Sequence, residues 1–237
     1  MSWGRLLYSQ PCWCASLISY FLDKPGTQLQ LSEGGATHQV TLGNSIGKGK
    51  EGVVHSVTGH TSPSGNQDPN HLLVKEFHAN NPNPQVEIGH LRQVNQLHGT
   101  GQDENGAVHA LITKQPGVKL KDTQSYKEAK RGAGKDAIKE QGAQLVGHTQ
   151  LGHAEQHNIL HKCVVSTYLC LLLYLIDAFR DNHAGNVLFE EEPHPDGGHR
   201  LTKANFVDWG KAEQAPPKPS GGYTKEQKDA IVCYFPS

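Results

Sequence analysis

The chain lacks an excess of positive charge: 22 Lys and Arg stand against 23 Asp and Glu, a formal net charge of -1. Non-specific nucleic-acid binding draws its affinity from cations that release condensed counterions, so this composition argues against a nucleic-acid partner. Cysteine is scarce as well. The five present (Cys12, Cys14, Cys163, Cys170 and Cys233) are odd in number, and two fall in an apolar run. That pattern argues against a disulfide framework and for a reducing compartment. Cys12 and Cys14 have no second thiol pair at ligand spacing, so they read as ordinary thiols rather than half of a metal site. Long hydrophobic runs are missing too. Residues 163–176 are apolar, but about 14 residues fall short of the ~20 a spanning helix needs. Asp177 closes the run. Residues 3–22 carry one Arg and are interrupted at Gln10-Pro11, which makes a poor secretory signal. No membrane span is expected, and a soluble protein is.

What is present is a chain of 237 residues with 26 Gly, 13 Pro and 15 His, loop-rich yet globular. Its length suits one domain of two lobes or two small domains, with surface enough to bury a core. Residues 1–38 read as an N-terminal extension, either a targeting segment or a disordered one. From Val40 the pattern becomes extended. Gly47-Lys48-Gly49-Lys50-Glu51-Gly52-Val53-Val54 then supplies G-x-G-x-x-G-x-V in full. β-Branched residues follow at once, favouring strand–turn–strand over the strand–helix arrangement of dinucleotide sites. A glycine-rich surface hairpin accounts for these residues equally well.

Residues 60–70 form a polar loop, and residues 71–77 a strand carrying one lysine, Lys75, directly after Leu72-Leu73-Val74. An ammonium on a buried strand needs a partner, because an unpaired buried charge is very costly. Pro82-x-Pro84 opens a helix expected over residues 85–98, with Glu87 in its first turn as the candidate partner. A dipole-favouring acid explains Glu87 nearly as well. Residues 99–106 read as a turn and 107–114 as a strand running into Gln115-Pro116-Gly117, a hinge-like break. The peptide groups around Thr113 and Gln115 are adenine-edge candidates. Residues 122–161 read as exposed helices. In them His153, His157 and His161 at i, i+4, i+8 suggest a solvated face more than a zinc site, since the outer pair lie about 12 Å apart along a helix. Residues 158–178 are apolar nearly all round and read as a central helix.

That helix leads to Phe179-Arg180-Asp181-Asn182-His183-Ala184-Gly185-Asn186, and a hairpin with its turn near residues 190–203 returns to Asp208-Trp209-Gly210. An acid, a carboxamide five residues on and a second acid across a hairpin suit metal-assisted phosphoryl transfer. One carboxylate orients the attacking hydroxyl while the amide oxygen and second carboxylate hold Mg²⁺ on the nucleotide. After a glycine turn and a strand lysine, this order is hard to reach by chance.

On these motifs, residues 40–212 resemble the protein-kinase-like superfamily, and within it the minimal effector kinases that bacterial pathogens inject into host cells. These include the OspG type and the chaperone-phosphorylating HopBF type. Phe179 stands where His is usual and Trp209 where Phe is usual. His183 is similar to small-molecule kinases of the aminoglycoside type. Nothing after Gly210 matches an activation segment, an Ala-Pro-Glu motif or the later helices.

The resemblance implies an α+β, minimal two-lobed kinase-like fold with a β-rich N-lobe (residues 39–114) and a reduced helical C-lobe (residues 115–237). It implies a monomeric ATP/Mg²⁺-dependent kinase, secreted into the host cytoplasm and acting on Ser or Thr of a host protein such as a heat-shock chaperone. Small-molecule phosphotransferase and non-catalytic binding module are the alternatives. In this reading Lys75, Asp181, Asn186 and Asp208 are catalytic, with Asn186 and Asp208 as metal ligands. Gly47, Lys48, Gly49, Gly52, Val54, Lys75, Glu87, Thr113 and Gln115 line the nucleotide site.

Overall fold

The computed structural model describes residues 25–63, 65, 67–130, 134–161 and 186–232. In chain order the elements are β1 (Gln28–Glu33), β2 (Ala36–Lys48), β3 (Gly52–Thr61), β4 (Leu72–Phe77), α1 (Pro84–Gln93), β5 (Leu97–Gln102) and β6 (Val108–Thr113). There follow α2 (Gln124–Lys130), α3 (Lys135–His157), β7 (Ile159–Leu160), β8 (Val187–Pro193), β9 (His199–Phe206), β10 (Glu213–Gln214) and α4 (Lys225–Val232).

The two-lobed kinase-like architecture is overturned. The first six strands close into an antiparallel barrel in the order β1-β2-β3-β4-β6-β5, and the described residues hold only four helices, so the molecule is β-rich rather than α+β. Closure depends on residues that the sequence placed in an N-terminal extension. Leu29 and Leu31 alternate with polar neighbours, and Gly34 and Gly35, both at positive φ, make the two-residue turn that folds β1 onto β2. β1 then meets β5 through Ser32 and Thr100. Glycine makes that approach feasible: a Cβ on Gly101 would sit 2.7 Å from the Gln30 carbonyl oxygen, and one on Gly99 would sit 3.1 Å from the Leu31 Cβ. The same glycines make residues 99–106 read as a turn in the sequence.

The barrel interior is filled by Leu29, Leu31, Val40, Leu42, Val57, Leu72, Val74 and Leu111. Because side chains alternate along each strand, Val54, Lys75 and Ala110, cross-strand partners in register, share the outer face. Helix α1 covers that face, packing Ile88 with Phe77 and Ala110. It ends at Gln93, earlier than expected, because Asn95 turns left-handed at φ 57 and frees Leu97 for β5. A second core joins Leu91 of α1 and Val94 just after it to Val146 of α3, Val187 and Phe189 of β8, Phe206 of β9 and Trp209. Strands β8 and β9 run well into the stretch read as a turn, pairing out to Pro193 and His199.

The expected central helix over residues 158–178, the Asp181 segment and all five cysteines lie outside the described residues, apart from Asn158, Ile159, Leu160 and His161. Among the described residues no helix is long and apolar enough to cross a membrane.

Histidines are built into both cores. Inside the barrel His38 and His60 stack with ring centroids 5.2 Å apart, and Nδ1 of His38 lies 2.9 Å from Nε2 of His60. The Gln67 amide donates to His60 Nδ1. That nitrogen is therefore unprotonated, so Nε2 carries the proton and donates to His38. The chain of bonds exists only while both rings are neutral. The expected solvated face of His153, His157 and His161 is also corrected. His161 is buried beyond the end of α3, and His153 packs edge-on to Trp209 at 5.0 Å.

Burial, which penalises the cation, is the leading cause that holds His60, His98, His153 and His161 below the ordinary histidine pKa, with His153 pushed down to about 4. The unfolded chain thus binds more protons once pH falls below about 6.5, and this part of the stability is lost as pH drops further. The urea midpoint should fall between pH 7 and pH 5, and His153→Leu should shrink the decrease. A midpoint constant over that range would contradict this account.

Candidate nucleotide and metal site

Lys75 sits on the outer face of β4, 7% exposed beneath α1. Its Nζ donates to both carboxylate oxygens of Glu87 at 2.6 Å and lies 3.5 Å from Oδ1 of Asp208. Glu87 reaches it because Pro84 fixes the start of α1 and places position 87 one turn in, facing the sheet. Burial, the largest effect, raises the Glu87 pKa, the Lys75 charge works against this, and Asp208 and Glu51 raise it further. The pair is a bidentate, charge-assisted contact between side chains only 9% and 4% exposed.

Asp208 follows β9 and adopts φ 66, a left-handed conformation that disfavours a residue with a Cβ. Its neighbours hold it there. Nε2 of His161 donates to the carbonyl oxygens of Val207 (3.0 Å) and Asp208 (2.9 Å), which fixes the proton on that nitrogen. Nδ1 of His90 donates to the Trp209 carbonyl at 2.8 Å, and the Trp209 indole donates to Gln96. His161 is itself clamped, since the buried side chain of Gln150 accepts from its backbone amide and donates to its carbonyl oxygen. The Phe206 ring stacks on the His161 imidazole at 4.7 Å. Three successive carbonyls are thus pinned by two histidines. None of His90, His161 or Gln150 was singled out for this role from sequence, because the signal is an imidazole facing backbone, which spacing does not encode.

Across the hairpin the Val207 amide donates to the Asn186 carbonyl, setting the two strand ends side by side. The Asn186 carboxamide nitrogen lies 3.5 Å from Oδ2 of Asp208. The glycine turn links β2 to β3: Gly47 pairs with Val54 and Lys48 with Val53, and the Gly49 amide donates to Gly52 at 2.9 Å. Gly52 is required by space, since a Cβ there would stand 2.2 Å from the Glu76 carbonyl oxygen. The turn also contributes a residue that the sequence reading left unassigned. Carboxylate oxygens of Glu51, Glu87 and Asp208 all lie within 4.8 Å of one another.

The structure therefore brings together Lys75, Glu87, Asp208 and Asn186, with the glycine turn alongside through Glu51. Thr113 stands apart: it pairs with Leu72, three residues or roughly 10 Å along the ladder from Lys75. Its amide donates to Gln96 and that of Lys114 to His71, so neither peptide N–H points at a ligand. Gln115 follows them, half-buried. Asp181, five positions before Asn186 in the chain, lies outside the described residues.

These residues suit a divalent cation. Among the described residues, the carboxylates of Glu51, Glu87 and Asp208 gather beside the Lys75 ammonium, and oxygen donors are what a hard divalent cation takes. Comparison with known proteins finds no family model and no curated protein that matches this chain.

Breaking a buried ion pair strands the remaining charge, at a cost of roughly 3–5 kcal/mol. Lys75→Met should lower the unfolding free energy by about 3 kcal/mol in urea titration. The double variant Lys75→Met/Glu87→Leu, which leaves no buried charge, should recover most of that loss. A single variant as stable as wild type would show that the pair is not buried in solution.

Proposed function

We propose that this protein is an ATP/Mg²⁺-dependent phosphotransferase whose acceptor is a Ser or Thr hydroxyl of another protein. The observation that carries the reading is the placement of the Lys75 ammonium between Glu87 and Asp208, with Asn186 beside Asp208. A cation oriented by one acid and set against a metal-binding acid and amide is the equipment of phosphoryl transfer. The reading rests on the site and not on the fold.

In this assignment Lys75 binds phosphate oxygens, and Glu87 holds the ammonium in place. Asp208 and Asn186 would hold Mg²⁺, Asn186 after turning its carboxamide oxygen inward. When bound, the metal would draw off charge developing on the transferred phosphoryl group. The rigid backbone beneath Asp208, fixed by His161 and His90, keeps its carboxylate aimed without reorganisation at the moment of reaction. The sequence assigns the orienting of the acceptor hydroxyl to Asp181. Because the motifs resemble those of injected effector kinases, host proteins, heat-shock chaperones among them, are the acceptors to try first.

The test is incubation with labelled ATP, Mg²⁺ and eukaryotic lysate. Wild type should label discrete proteins, and Asp208→Ala should reduce labelling by roughly a hundredfold or more, the scale of loss when a transition-state contact is removed. Identical patterns from the two proteins would refute the assignment. Transfer to a small-molecule panel with none to protein would keep the chemistry and overturn the acceptor.

A further inference from the structure

Glu51 stands at the tip of the glycine turn, where a phosphate-cradling loop gains nothing from an acid. Its main chain is anchored: the carbonyl oxygen accepts from the His78 amide at 3.0 Å and from the Asn81 side chain at 3.4 Å. Its carboxylate is directed across the gap toward the Asp208-Trp209-Gly210 turn. A Cβ on Gly210 would lie 2.3 Å from Oε2 of Glu51 and 3.4 Å from Oε2 of Glu87, so the acid occupies space that only glycine leaves open. Among the described residues, the half-buried Glu51 is the third carboxylate gathered beside the Lys75 ammonium.

Building on the nucleotide-binding reading, we infer that Glu51 makes entry of the triphosphate depend on its metal. A metal-free nucleotide brings about four negative charges against three carboxylates, whereas the Mg²⁺ complex brings about two together with a cation that carboxylates attract. Glu51 therefore acts as an electrostatic filter, set on the covering turn and seated between it and the metal-binding acid. Lys75 and Glu87 largely neutralise each other, so the Glu51 charge adds to that of Asp208 across the gap. Neutralising Glu51 without changing its shape should remove the discrimination while leaving the cradle intact.

The experiment is calorimetric titration of the full chain with ATP in excess EDTA and with ATP in excess Mg²⁺, using wild type, Glu51→Gln and Asp208→Ala. Melting temperatures are recorded to show that each protein is folded. Glu51→Gln should bind metal-free ATP about tenfold more tightly than wild type, the effect of removing one like charge near the surface. Its affinity for the Mg²⁺ complex should change much less. Equal affinities of wild type and Glu51→Gln for metal-free ATP, with Mg²⁺-ATP still bound, would overturn the filter alone. No binding of ATP by any of the three proteins, with or without Mg²⁺, would overturn both the filter and the nucleotide site beneath it.

Discussion

An ammonium held between two carboxylates on the outside of a β-barrel governs the arrangement of the rest. Lys75 belongs to a strand whose other face lies in the barrel core, so its outward side chain would meet water unless something covered it. Helix α1 provides the cover, and Glu87 provides the counter-charge that makes the cover affordable. The turn at Asp208 closes the remaining side. Removing water strengthens each attraction and raises the cost of each unmet charge. The pair is thus both a structural commitment and the source of the site's electrostatics.

The support beneath Asp208 shows how a left-handed residue is retained without glycine. Strain of this kind costs on the order of 1–3 kcal/mol and persists only where the surroundings over-determine it. Here His161 binds two carbonyls, His90 binds a third, Gln150 fixes the backbone of His161, and Phe206 stacks on its ring. Burial holds His161 below the ordinary histidine pKa, against the pull of the two carbonyls it donates to, so the same burial that seats the knot makes the fold sensitive to acid. Rigidity at the site and lability at low pH have one origin.

Much of the local structure was legible. The β-branched residues after Gly52 indicated strand–turn–strand, the apolar run before Lys75 indicated a buried strand, and Pro84 marked a helix start. Even the pairing of Lys75 with Glu87 followed from the cost of leaving an ammonium alone. The misreadings also have causes. Residues 28–38 alternate polar and apolar around Gly34-Gly35, a hairpin signal outweighed by their position at one end of the chain. Gly99 and Gly101 looked like a turn because glycine marks turns, but it equally marks a strand pressed against another backbone.

By itself, the sequence determined which side chains carry charge at which spacing, and hence that an amine, two acids and a carboxamide were available for one site. Spacing could not decide that β1 and β5 would meet, since barrel closure is a contact between segments some seventy positions apart and depends on missing Cβ atoms rather than on a motif. Nor could it place Glu51 among the carboxylates or His161 under Asp208. Those depend on the direction each side chain takes once the backbone is fixed, a three-dimensional property that a linear pattern does not contain.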